Sequence, residues 1–282
     1  RGILWFVALA LTPVVAFIAA PLPNGLLDYQ PIVSLKVLDR EGGLLRELRS
    51  RDDGRSTPIT REQISPQVRA AFLAAEDHRF DAHHGVSPTA MLRAAKQNLA
   101  AGKVVAGGST ITQQLARTLV PRERTLLGKV QEALWALRLD AHLSKDEILT
   151  QYLNRIPFGN NTFGLEAAAQ LYFGKKAEHL SLGEAALLAS VPRGPSAYDP
   201  YRKPKRVGER RDWVLSRLQE TGLATSEDVA VARAEPVDLS HFRATFQAPH
   251  FVNYVAAHLD AWGLRDAAVI ETTLDPRLQP RV

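Results

Sequence analysis

The chain has 282 residues, 45% of them hydrophobic and 23% charged, a composition that excludes a disordered chain and suits one large domain with additions. Lys and Arg outnumber Asp and Glu by 35 to 30, a mild basic excess that suits a phosphate-bearing partner. Cysteine is absent, which excludes disulfides and thiolate chemistry and leaves the compartment open.

Gly2 to Leu27 carries no charge, and Ile3 to Ala20 is almost wholly apolar, close to the ~20 residues that a spanning helix needs. The expectation is a single-pass anchor over residues 1–27. A cleaved signal peptide is the alternative, though Pro21 directly after Ala19-Ala20 disfavours cleavage there. Residues 28–60 read as a β-rich linker: Pro31 to Leu38 alternates, Glu41-Gly-Gly is a turn, and Leu44 to Leu48 returns. From Ser65 the pattern becomes helical. Ser65-Pro66 and Ser87-Pro88 are helix starts, Gly102 is a stop, and Ser144/Glu147 and Ser181/Glu184 are capping boxes. Residues 61–235 therefore read as a helical domain. Residues 236–282 are less periodic, with one strand near Val269.

Three clusters offer chemistry. Glu76-Asp77-His78-Arg79-Phe80-Asp81-Ala82-His83-His84-Gly85 follows an amphipathic helix whose apolar face is Val68, Ala71, Phe72 and Ala75. Adjacent carboxylates raise each other's pKa, and burial raises it further, which suits a general base; a structural ion-pair network is the plainer reading. The histidines do not have zinc-ligand spacing. Gly107-Gly108-Ser109-Thr110 followed by Gln113, Gln114 and Arg117 lets backbone approach a ligand and offers a capped helix start, but it is not a Walker A loop. Lys129 and Glu132 share one helix face, an arrangement equally expected of an ordinary surface ion pair, with Val130, Leu134 and Leu137 expected on the buried side.

Taken in order, Glu76-Asp77-x-x-Phe80-x-x-His83-x-Gly85, Gly108-Ser109-x-x-x-x-Gln114, Lys129-x-x-Glu132, Lys145-x-Glu147 through Tyr152-Leu-Asn154, and Arg193-Gly-Pro-Ser-x-Tyr-x-Pro200 resemble the five motifs of glycosyltransferase family 51. These are the peptidoglycan glycosyltransferases of class A penicillin-binding proteins. The likeness covers about residues 60–200. One departure is Gly128, where the third motif usually has Arg.

The resemblance implies a mainly α, lysozyme-like domain with a small mobile jaw near residues 100–128, beside the short N-terminal β element and the transmembrane helix read from the sequence pattern. It implies lipid II and the growing glycan strand as substrates, polymerised with inversion into β-1,4 strands with release of undecaprenyl diphosphate. Glu76 would be the general base. Glu132 and Lys129 would assist the diphosphate, with Asp77, Phe80, His83, Gly108, Ser109, Gln113, Gln114, Arg117, Arg124, Asn154 and Arg193 lining the substrate site. A divalent cation, Mg or Mn, could share the leaving-group work. The expected setting is the extracytoplasmic side of the bacterial inner membrane, beside other cell-wall synthesis proteins and without nucleic acid. Thr272-Thr-Leu-Asp-Pro resembles the entry to a transpeptidase domain. Transpeptidase activity itself is not expected of this chain, which has no Ser-x-x-Lys and no Lys-Thr-Gly. A glycan hydrolase and a non-catalytic scaffold remain as alternatives.

Overall fold

The computed structural model describes residues 12–29, 33–49, 54–103, 107–240, 247–264, 267–275 and 277. The expected anchor up to residue 11 and residues 104–106 of the expected jaw lie outside the described residues. Residues 12–19 are helical, and among the described residues no helix is long and apolar enough to cross a membrane.

The helical domain is built on signals close to those in the sequence. Helix α1 (Pro66–Glu76) starts where Ser65 Oγ accepts the Val68 N–H, and α2 (Pro88–Ala101) starts at Ser87 and stops at Gly102 in the left-handed region. Then come α3 (Ile111–Leu119), α4 (Leu126–His142) and α5 (Lys145–Leu153), the last with the Ser144/Glu147 capping box. A hairpin of β3 (Pro157–Gly159) and β4 (Thr162–Phe163) leads into α6 (Leu165–Phe173), α7 (Leu182–Ser190), α8 (Pro204–Glu220) and α9 (Ser226–Ala234). Helix α7 is apolar nearly all round because it is covered on several sides, packing on α1, α8 and α9. The core holds Phe72, Phe80, Tyr152, Phe158 and Tyr172, with Phe72 and Phe158 edge to face at 6.3 Å.

A second, smaller core lies under a three-stranded sheet. Strand β1 (Leu35–Leu38) pairs antiparallel with β2 (Leu44–Leu48) and parallel with β5 (Val269–Glu271). Leu35, Val37 and Leu45 pack there on Val252 and Val255 of α10 (Pro249–His258). The sequence pattern set residues 28–60 and 236–282 apart as separate linkers, whereas the sheet joins them. It also gave no sign of α10.

Two arginines tie the N-terminal segment to the helices. Arg138 donates to the carbonyls of Ala20 and Pro21 at 3.1 and 2.5 Å and lies over the Phe17 and Trp135 rings. Arg155 donates to the Leu27 and Asp28 carbonyls at 2.7 and 3.0 Å and lies over Tyr29.

Candidate active site

The site begins where α1 runs out. Glu76 is its last residue and Asp77 its C-cap, so two adjacent carboxylates leave the helix in different directions. Asp77 turns inward: Oδ2 accepts the Ile111 N–H at 3.1 Å and meets His83 Nε2 at 2.9 Å. It thus holds the positive end of α3 against the loop that follows α1. Glu76 faces the cleft, where Gln114 Nε2 donates to its Oε2 at 2.7 Å. Tyr152 OH in turn donates to Gln114 Oε1 at 3.3 Å. This relay gives the Gln114 amide a partner on each side.

Burial pushes the Glu76 carboxyl above its ordinary range. The Gln114 hydrogen bond and the charges of Arg210 and Arg193 pull the other way without cancelling it, and Asp77 adds a little to the rise. Arg210, on α8, is itself pushed down to about 10 by burial and by Arg193. Its guanidinium stacks on Trp213 at 3.6 Å. Together with Arg93, Arg193 and Arg217 these residues line a groove of about 790 Å³ that opens from Glu76 between α2 and α8.

The floor of the cleft is the glycine turn. Gly108 lies so close to α2 that a Cβ would stand 2.8 Å from Met91 Cα. Thr110, rather than Ser109, caps α3, and its hydroxyl donates to the Gly85 carbonyl at 2.6 Å. Gly85 has φ +75 and presses on α4, where a Cβ would overlap the Ala136 carbonyl, so no other residue fits there. Ser109 lines the Glu76 pocket and its Oγ accepts a hydrogen bond from Lys129 Nζ at 2.9 Å.

Lys129 also pairs with Glu132 Oε1, while Arg122 Nε and Nη2 reach Oε2 of the same carboxylate at 2.8 and 2.7 Å. The surface-pair reading of Lys129 and Glu132 is corrected here, since Glu132 is only 2% exposed. So is the expected buried side of α4. Val130 is exposed, and the inward stripe is Gly128, Glu132, Ala136 and Leu139, whose small members let neighbouring backbone approach the helix.

The other expected substrate residues divide. Arg193 is an exposed residue of the groove; Arg117 and Arg124 are exposed and have no place in its lining. Phe80, Gln113 and Asn154 are fully buried and do not reach the cleft. Phe80 is a core ring edge to face with His83, and Gln113 folds back to accept the Thr110 N–H at 3.0 Å. Asn154 holds both the N–H and the carbonyl of Ile59, at 2.8 and 2.9 Å, and the Tyr29 hydroxyl at 3.2 Å. Arg122, Arg210 and Trp213 were not singled out from the sequence. Arg210, Trp213 and Arg217 recur at i, i+3 and i+7, a helical stripe that could have been noticed.

No group of three or more His, Asp or Glu side chains among the described residues is arranged to hold a metal. A divalent ion at Glu132 does not fit the donors present, because cations already meet both carboxylate oxygens.

The family profile described as Transglycosylase matches residues 41–219. Penicillin-binding protein 1A of Pseudomonas aeruginosa is 38% identical over 242 residues, 85% of this chain and 29% of that protein. Penicillin-binding protein 1C of Escherichia coli is 38% identical over 284 aligned positions, 98% of this chain and 36% of that protein. A crystal structure of penicillin-binding protein 1A from Haemophilus influenzae aligns over 87% of this chain and 28% of its own, with a TM-score of 0.47 and 24% identity. The chain thus spans about a third of the length of the curated relatives it matches. With well over half of its residues inside that profile, the protein belongs to the transglycosylase family.

Proposed function

We propose that this chain is a peptidoglycan glycosyltransferase that polymerises lipid II into β-1,4 glycan strands with inversion, releasing undecaprenyl diphosphate. The observation that carries this reading is Ser109, which lines the Glu76 pocket and accepts from Lys129, so that a desolvated carboxylate and a cationic cluster share one cleft floor. One inverting displacement needs both. Glu76 accepts the proton of the acceptor 4-hydroxyl as it attacks the donor anomeric carbon, and its raised pKa brings it nearer to working pH. Lys129 faces the negative charge that grows on the departing diphosphate. Gln114 holds Glu76 in place, and Asp77 positions α3 and its glycine turn.

Glu132 counts against a hydrolase. A retaining or inverting hydrolase needs its second carboxyl free to act as nucleophile, acid or base, and Glu132 is buried between two cations. A seat on the bilayer is supported by exposed apolar side chains: Leu92 and Leu99 stand two turns apart on α2, and Leu126, Leu127 and Val130 cluster at the start of α4. The extracytoplasmic location, the partners in wall synthesis and the onset of a transpeptidase domain after residue 236 belong to the same proposal.

The test is incubation with labelled lipid II and separation of products by chain length, for wild type and Glu76→Gln. Wild type should lengthen chains. Glu76→Gln keeps size and hydrogen bonding but cannot take the proton, and should lose about 10²–10⁴-fold in rate while binding lipid II nearly normally. A folded Glu76→Gln protein that polymerises at wild-type rate removes the base assignment, and chain shortening by wild type would favour a hydrolase.

A further inference from the structure

We propose that Arg122 supplies the guanidinium that position 128 lacks, and that with Lys129 it forms the phosphate-binding pair of this site. The inference rests on the polymerase reading above and names the residue that meets the diphosphate.

The starting point is packing. A Cβ at Gly128 would overlap the Glu123 carbonyl oxygen and stand 3.3 Å from Arg122 Cδ. The strand of chain ahead of α4 therefore lies across the spot where a side chain at 128 would begin, and it brings its own arginine there. Arg122 is not a loose surface residue. Its side chain is 12% exposed, its Nε and Nη2 hold Glu132 Oε2, and its Nη1 donates to the Glu123 carbonyl at 2.9 Å.

The donor count favours an anion at this pair. A guanidinium has five N–H groups in a fixed plane, and those three contacts leave two. An ammonium has three, and Ser109 and Glu132 take two of those on Lys129. Two cations against one carboxylate leave one net positive charge. Glu132 fixes both cations, so neither must be ordered when the ligand arrives. A planar guanidinium beside an ammonium suits two adjoining phosphoryl groups, the first by bidentate bonds and the second as a point charge.

The test uses the whole chain in detergent, with inorganic pyrophosphate as the probe and labelled lipid II as substrate. Arg122→Gln keeps much of the reach to Glu132 but removes the charge. It should weaken pyrophosphate binding about tenfold and lower kcat by about 10²-fold, with a smaller change in KM and a near wild-type melting temperature. Arg122→Lys, which keeps the charge without the fork, should recover only part of the pyrophosphate affinity and part of kcat. If wild type polymerises lipid II and a folded Arg122→Gln protein matches it in both kcat and pyrophosphate affinity, the inference is overturned and the polymerase reading stands. If wild type does not polymerise, that reading fails, and pyrophosphate affinity alone decides the role of Arg122. Should Arg122→Gln unfold, Arg122→Lys decides. A loss of about threefold or more in affinity at unchanged melting temperature supports a bidentate guanidinium, and affinity and kcat equal to wild type overturn the inference.

Discussion

Glu76 lines the cleft, Glu132 is buried behind its floor and tied to it through Lys129 and Ser109, and the two are kept in opposite surroundings. Glu132 is buried between Lys129 and Arg122, and its charge is answered twice. Glu76 receives one hydrogen bond from a neutral amide, and that bond and the charges of Arg210 and Arg193 do not cancel its desolvation. A carboxylate that is answered twice is a fixed anchor for cations, and one that is under-answered is ready to take a proton. The sequence places both residues on helices as Glu, so the difference comes wholly from what the fold brings beside them.

Breaking the answered side should do the most damage to the fold. Glu132→Ala removes the buried carboxylate and leaves the partly exposed Lys129 and Arg122 facing each other, a loss that approaches the about 3–5 kcal/mol of a broken buried pair. Chemical denaturation should show that loss, along with loss of pyrophosphate binding. A melting curve close to wild type would mean that the pair is not a structural anchor. Gly128→Ala is the next largest. Its methyl must displace the Glu123 carbonyl, an overpacking cost of about 1–3 kcal/mol, and Arg122 should move with it. Polymerisation should fall together with stability, and a fully active Gly128→Ala protein would show that the close approach is dispensable.

On the other side the expected effects are smaller and appear in pH dependence. Gln114→Ala removes the hydrogen bond that lowers the Glu76 pKa, so the acid limb of kcat/KM should move to higher pH; an unmoved limb would detach Gln114 from the base. Glu76→Gln should also melt slightly higher than wild type at neutral pH. The folded pKa lies above the unfolded one, so stability is greatest below the unfolded value and falls as pH rises through the folded one. Gln is spared that loss, and the gap in melting temperature should close in acid.

Much of this was legible in the sequence because it is local. The helix starts at Ser65 and Ser87, the boxes at Ser144 and Ser181, and the placing of Glu76 at a helix end depend on residues within one or two turns. Arg122 was not legible, because its value depends on a backbone crossing at Gly128 that no periodicity encodes. Gln113 and Asn154 misled for a related reason. Gln113 stood out as a polar side chain in a helix and Asn154 was placed at the site by resemblance, but here both satisfy buried backbone groups. The buried side of α4 was misjudged because Val130 and its neighbours are more apolar than the inward Gly128, Glu132 and Ala136.

The sheet that joins β1 to β5 has a mechanical consequence. The two strands run parallel and pair Lys36 with Val269, Val37 with Ile270 and Leu38 with Glu271, across more than 230 residues of intervening chain. Tension between the segment before Leu35 and the segment after Glu271 would pull the strands past each other lengthwise. All their hydrogen bonds would then bear the load at once instead of parting one by one, as they would if peeled. A pull on the two ends is carried by this short seam, and the helices looped between the strands stay unstretched while it holds.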